Sequence, residues 1–185
     1  MTSARHDVFN FDYATQYPDS FDSNTPEEFI YVGLKSLTDP VMVDDKKIDI
    51  GRLVLSPTRT YLPVLKQIIN ELRGEINGLI HCTGGAQTKV QKFIKNKHVI
   101  KDNLFPVPPL FEMIQQQSGT SYKEMYQVFN MGHRLEFYLP EAHAQTIIDI
   151  AENFNINAQI IGRVEAAKEE KITIFTPDDK QVTYS

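Results

Sequence analysis

One stretch of this chain brings together an imidazole, a hydroxyl and unusual backbone freedom. His81-Cys82-Thr83-Gly84-Gly85 follows a short apolar run and precedes a helical pattern. A glycine turn at the start of a helix aims backbone N–H groups at the positive end of the helix dipole, which suits a phosphate or a developing oxyanion. His81 beside it could move a proton or donate to an anion. In isolation the two glycines read as a plain tight turn, and a lone histidine at a strand end as a structural residue. The spacing matches neither G-x-x-x-x-G-K-[ST] nor G-x-G-x-x-G.

A second junction, Thr58-Arg59-Thr60-Tyr61, precedes another helical pattern. Arg59 could clamp a phosphate bidentately while the hydroxyls donate to it, or it is an ordinary surface arginine at a helix start. Lys89, Lys92, Lys95, Lys97 and Lys101, with His98, form a basic series. No aromatics interleave with it, so it reads as a solvated face rather than a nucleic-acid surface. Cys82 reads as a small buried residue. The histidines at 6, 81, 98, 133 and 143 show no metal-ligand spacing, which argues against zinc.

The elements that must carry these residues follow from periodicity. Leu53-Val54-Leu55 reads as a short strand. A helix comes next with Leu62, Leu65, Ile68, Ile69 and Leu72 on one face, Pro63 in its first turn and Gly74 as its stop. Ile76–His81 reads as a strand, followed past Gly85 by a helix with Val90, Phe93 and Ile94 inward and capping-box spacing at Thr88 and Gln91. The pattern predicts a helix from Leu110 to Gln117 ending at Gly119. A second capping box, Ser121-x-x-Glu124, opens a helix striped with Tyr122, Met125, Tyr126 and Phe129. Leu135, Phe137 and Leu139 alternate with polar neighbours as in a half-buried strand, and Pro140 begins a helix carrying Ala144, Ile147, Ile148, Ala151 and Phe154. Ala158–Val164, Lys171–Phe175 and Gln181–Tyr184 suggest a terminal meander. The expected class is α+β, a mixed β-sheet covered by helices.

Length and charge bound the rest. The chain has 185 residues and a formal charge of −5, with one cysteine. It reads as a single domain over 1–185, with an irregular acidic and aromatic head to about residue 50 and a regular core over 51–185. Residues 1–30 carry the whole acidic excess, mixed with Phe9, Phe11, Tyr13, Tyr17 and Phe21. That head packs on its own domain or belongs against a neighbour. The acidic balance disfavours non-specific nucleic-acid binding. No apolar run is long enough to span a membrane, and the amino terminus has no apolar core of a secretory signal, so a cytoplasmic setting is expected.

Five segments taken in order resemble the carboxy-terminal half of phosphoribosylformylglycinamidine cyclo-ligase, also called aminoimidazole ribonucleotide synthetase. They are Leu55–Tyr61, Gly78–Gly85, Phe105–Pro109, Glu124–Gly132 and Ile160–Val164. Ser3-Ala4-Arg5 is similar to the family's helix after its Ser-Asn-Gly stretch. The resemblance implies an ATP- and magnesium-dependent ligase of purine biosynthesis that closes the imidazole ring of formylglycinamidine ribonucleotide. It implies a catalytic His81 and a substrate- or phosphate-binding set of Thr58, Arg59, Tyr61, Thr83, Gly84, Gly85, Asn130 and Gly132. No metal ligand is assigned in this chain. The family's amino-terminal half, which supplies the nucleotide segment, the metal-binding acids and much of a homodimer contact, has no counterpart here. Met1 falls mid-protein by this comparison, so a fragment, an engineered half or an internal start is expected, inactive alone. A non-catalytic ribonucleotide-binding module, or half of a related ATP-dependent amidotransferase, is the alternative. Two departures stand out: Ala86 replaces the third glycine of the family's turn, and His133-Arg134 replace small or apolar residues.

Overall fold

The computed structural model describes residues 2–56, 60–178 and 180–185. In chain order the regular elements are α1 (Asp12–Gln16), β1 (Pro40–Val43), β2 (Lys46–Asp49), α2 (Ile50–Val54), α3 (Leu62–Leu72), β3 (Gly78–His81), β4 (Lys97–Lys101), α4 (Pro109–Ser118), α5 (Tyr122–Val128), β5 (Leu135–Tyr138), α6 (Ala144–Asn153), β6 (Gly162–Ala166), β7 (Lys171–Phe175) and β8 (Gln181–Tyr184). The class is α+β with mixed sheets, as the patterning implies. Among the described residues no helix is long and apolar enough to cross a membrane.

The chain forms two compact units. One comprises Met1–Thr58 and Val107–Met125. Here a wide helical turn, Ala4–Val8, buries Ala4 and Val8 and packs against α4. The aromatic head folds onto itself around Tyr31, whose ring lies edge-on to His6 and Phe21 and tilted against Tyr13. Tyr31 and Phe9 are buried, while Phe11, Tyr17 and Phe29 are exposed. The hairpin β1–β2 turns through Asp44 and Asp45, both at positive φ, the conformation of a tight two-residue turn that matches strand twist.

The other unit comprises Arg59–Pro106 and Tyr126–Ser185. β3 and β5 pair antiparallel, with Ile80 opposite Glu136 and His81 opposite Leu135. A four-stranded sheet runs β6-β4-β7-β8, in which β4 is parallel to β7 and antiparallel to β6. Val64, Ile68 and Leu72 of α3 meet Ile147, Ile150 and Ala151 of α6, and Phe137 and Leu139 pack onto that cluster. Each large aliphatic buried there contributes about 1.5–3 kcal/mol.

Three expectations are corrected. Leu53–Leu55 is no strand: Leu53 and Val54 end α2, and Leu55 is exposed beyond it, since three apolar residues in a row carry no period. Ala86–Phe93 winds as a 3₁₀ segment with Phe93 exposed, and Thr88 donates its hydroxyl to Gly85 O rather than capping Gln91. The meander is interrupted, because Lys97–Lys101, part of the supposed solvated lysine face, is the strand β4 that separates β6 from β7. Its Val99, Ile100 and Lys101 are all buried.

Gly162 explains one family motif physically. A Cβ there would lie 1.9 Å from the carbonyl oxygen of Ile100, which is backbone and cannot swing aside. Gly162→Ala therefore has to push β6 off β4. We expect a loss of about 3 kcal/mol or more, read as a lower urea midpoint at unchanged m; an unshifted midpoint would show that the strands separate without cost.

Candidate functional site

The site is built at one end of the β3–β5 pair. β3 ends at His81, and Cys82 N–H donates to Arg134 O at 2.9 Å, extending the ladder by one bond. Thr83 N–H then donates to His81 O at 2.7 Å, and the chain turns sharply. Gly84, Gly85 and Ala86 follow at φ of +41, +86 and +41. A Cβ at Gly84 would meet nothing within 4 Å, so the turn is open on that side and a ligand can approach its backbone. Ala86 keeps the left-handed conformation that a glycine would adopt more cheaply, and its methyl is buried.

His81 and Thr83 are exposed at this turn. Lys89 bends back over it, its ammonium donating to His81 O at 3.0 Å and to Thr83 Oγ1 at 3.2 Å. A cation fixed beside an open glycine turn favours an anionic guest. The lysine series does not by its spacing single out Lys89, because only the tight 3₁₀ winding brings it back to the turn.

Behind the turn lies a buried polar network. Lys101, 1% exposed, donates to Glu136 Oε1 at 2.6 Å, to Gln87 O at 2.8 Å and to Gln87 Oε1 at 2.9 Å. Gln87 Nε2 donates to Asn130 O at 2.8 Å, and Tyr138 O–H donates to Glu136 Oε2 at 2.7 Å. All three ammonium protons are thus used, which is what lets a lysine be buried at all. Burial also pushes the Cys82 thiol up to about 12, helped by the Glu136 carboxylate beside it, so this cysteine is not a thiolate nucleophile. Desolvation, with Glu136 charge added, raises the Tyr138 phenol well above its usual value.

The Asn130–Gly132 turn closes on itself. Asn130 Oδ1 accepts from Gly132 N–H at 3.0 Å, and Met131 and Gly132 both have positive φ. Gln87 therefore joins this turn to the Gly84–Ala86 turn, bringing Thr83, Gly84, Gly85, Asn130 and Gly132 into one neighbourhood. Tyr61, at the start of α3, reaches the same end through Arg134, whose Nη1 donates to the Tyr61 hydroxyl at 3.1 Å. Thr58 and Arg59 lie outside the described residues.

The two residues of the His133-Arg134 departure point in different directions. His133 is buried, its Nε2 accepting Phe105 N–H at 3.1 Å and its ring lying against Phe105. It thereby anchors the start of the Phe105–Pro109 segment. Arg134 instead turns toward a small cavity beside Tyr61, Asn155, Ile156 and Asn157.

Two predictions follow from the network. Lys101→Met leaves the Glu136 carboxylate buried without its cation and is expected to cost about 3–5 kcal/mol, whereas Lys101→Met with Glu136→Leu restores most of that stability. Denaturant melts of the two variants check this, and a double variant no more stable than the single one would contradict it. The second concerns pH. Desolvation lowers the His133 pKa from 6.5 to about 4. Between those values the unfolded chain binds a proton that the folded chain does not, so stability is complete above about 6.5 and falls as pH drops toward 4. The loss should reach about 3 kcal/mol. His133→Phe should flatten that part of the stability–pH curve; an unchanged slope would assign the proton elsewhere.

Comparison with known proteins agrees with this architecture. Residues 38–175 match the family described as AIR synthase related protein, C-terminal domain. A phosphoribosylformylglycinamidine cyclo-ligase of Methanocaldococcus jannaschii is 35% identical over 139 residues, covering 70% of this chain and 40% of that protein. One of Methanobrevibacter smithii is 34% identical over 146 residues, covering 77% of this chain and 42% of its own length. The chain thus spans about two fifths of the curated relatives it matches. The crystal structure of E. coli HypE, a hydrogenase maturation protein, superposes with a TM-score of 0.50 at 14% identity over 68% of this chain and 38% of that one, a likeness of fold alone. Sequence and fold together place this chain in the family of AIR synthase related proteins, by their C-terminal domain.

Proposed function

We propose that this chain is the substrate-side half of an ATP-dependent cyclo-ligase that converts formylglycinamidine ribonucleotide to aminoimidazole ribonucleotide in purine biosynthesis, in a cytoplasmic setting. The observation that carries the reading is the open run of left-handed residues Gly84–Ala86 between exposed His81 and the ammonium of Lys89. An oxygen on an amide-type carbon leaves poorly, and ATP supplies the phosphoryl group that makes it a leaving group. In this proposal Thr83 and the backbone of Gly84 and Gly85 hold the departing phosphate, with Lys89 balancing its charge. His81 takes the proton released by the amidine nitrogen as the ring closes. Tyr61, with Thr58 and Arg59 assigned from sequence, holds the substrate's anionic end, and the Asn130–Gly132 turn forms an adjoining wall.

Among the described residues no group of three His, Cys, Asp or Glu gathers at one point. Following the family resemblance, we propose that ATP and Mg2+ have their main site in an amino-terminal half, which would be this chain's partner and the seat of a homodimer in the full-length enzyme.

The test uses this chain complemented by the nucleotide-binding half of a relative. His81→Ala should lower kcat by about 10²–10⁴-fold. Arg59→Ala should mainly raise KM, about tenfold to a hundredfold. Melting temperatures should stay put in both, since exposed anion-binding groups add little to the core. Full turnover by His81→Ala would remove it from the chemistry, and dependence of the complemented enzyme on glutamine or ammonia would point to an amidotransferase instead.

A further inference from the structure

We propose that Arg134, Tyr61, Asn155 and Asn157 line a subsite for a phosphate monoester or free phosphate, with Arg134 as its principal ligand. The cavity they surround, with Ile156, has a volume of about 200 Å³. That is below the ~300–1,000 Å³ of a pocket that encloses a whole small molecule, so it suits one group of a larger ligand or a small ion.

The chemistry of the lining selects the guest. Arg134 gives one donor, on Nη1, to the Tyr61 hydroxyl, a contact that orients the guanidinium without neutralising it. Among the described residues no carboxylate lies within ion-pair distance of Arg134, although Arg163, Arg52, Lys101 and Lys180 all have such partners. Its Nε and Nη2 edge therefore remains available for a bidentate oxyanion, the geometry that guanidinium and phosphate share. Asn155 and Asn157 add neutral amide donors and no competing negative charge. A tetrahedral phosphate has acceptors enough for all of these groups, whereas a carboxylate has only two oxygens in one plane.

The walls are also fixed in advance. Asn155 N–H donates to Glu152 O at 2.8 Å and Ile156 N–H to Ala151 O at 3.0 Å, while Ile156 packs against the α3–α6 core. Tyr61 is half-buried against the same core. Arg134 sits one residue before β5, with its carbonyl in the ladder to Cys82. The backbone frame of the cavity and the Arg134–Tyr61 contact are thus in place before a ligand arrives, which lowers the ordering cost of binding. The cavity therefore stands at the strand end that carries the His81 turn, and Arg134 is one of the residues by which this chain departs from the family pattern.

The proposal rests on the cyclo-ligase reading only for which molecule carries the phosphate. Calorimetric titration of the 185-residue chain with inorganic phosphate, ribose 5-phosphate and acetate tests it. Phosphate and ribose 5-phosphate should bind, Arg134→Leu should weaken both at least tenfold at unchanged melting temperature, Arg134→Lys should recover part of the loss, and Tyr61→Phe should weaken binding a few-fold. Tighter binding of ribose 5-phosphate assigns the subsite to a ribotide; tighter binding of inorganic phosphate assigns it to a released product. Absence of phosphate binding, equal binding by Arg134→Leu, or acetate competing as well as phosphate would overturn it. If the complemented enzyme shows no cyclisation while Arg134-dependent phosphate binding persists, the cyclo-ligase reading fails and the subsite stands.

Discussion

A lysine ammonium buried beyond the reach of water has to be matched on every proton, and the match made for Lys101 governs much of the larger unit. Glu136 neutralises its charge and Gln87 takes its other two protons. Lys101 comes from the four-stranded sheet and Glu136 from the β3–β5 pair, so one ion pair holds the register between two separate hydrogen-bonded layers. Hydrophobic packing could hold these layers together but tolerates sliding. A buried charge pair does not, because a displacement of an ångström or two strands two desolvated ions.

The same match reaches the open turn. Gln87 is the first residue after the left-handed run, and both its backbone and side-chain oxygens are held by Lys101. Its remaining amide donor goes to Asn130 O. The position of the Gly84–Ala86 turn relative to the Asn130–Gly132 turn is therefore set from inside the protein by groups that never meet solvent. That division suits a site whose exposed residues, His81 and Thr83, must be accessible and hence cannot be positioned by burial. It also accounts for Ala86 at positive φ: a small backbone strain is tolerated where the next residue is anchored by three hydrogen bonds.

Much of this was legible in the sequence, and the reasons for what was not are specific. α3, α4, α5 and α6 emerge from apolar spacing, and the Ser121 cap forms, its hydroxyl accepting Glu124 N–H at 3.3 Å. Phe137 and Leu139 do face the helical core. Yet the alternation that marks β5 as half-buried hides the burial of Glu136 on its other face, because a charged residue reads as solvent-facing unless its partner is known. That partner is 35 residues away in sequence. Lys101 disappeared into a lysine series for the same reason, taking β4 and the sheet order with it. The motif at His81–Gly85 was visible as a motif, but Lys89, Gln87 and Arg134 acquire meaning only from contacts that no local spacing encodes.

The pair His133-Arg134 shows how adjacent residues at the mouth of a strand can divide two tasks. Entry into β5 is irregular, with Met131 and Gly132 at positive φ, so the strict alternation of a strand has not yet begun and neighbouring side chains are free to diverge. The ring that goes inward is held neutral chiefly by desolvation, with Phe105 N–H on its Nε2 lone pair; the Glu136 carboxylate opposes that effect and Lys101 adds to it. The guanidinium turns instead to the cavity beside Tyr61. Interchanging the two would put a guanidinium into the desolvated place against Phe105 and an imidazole at the cavity. The order of these residues therefore follows from desolvation, with the imidazole on the side that demands neutrality and the guanidinium on the side where an anion can reach it.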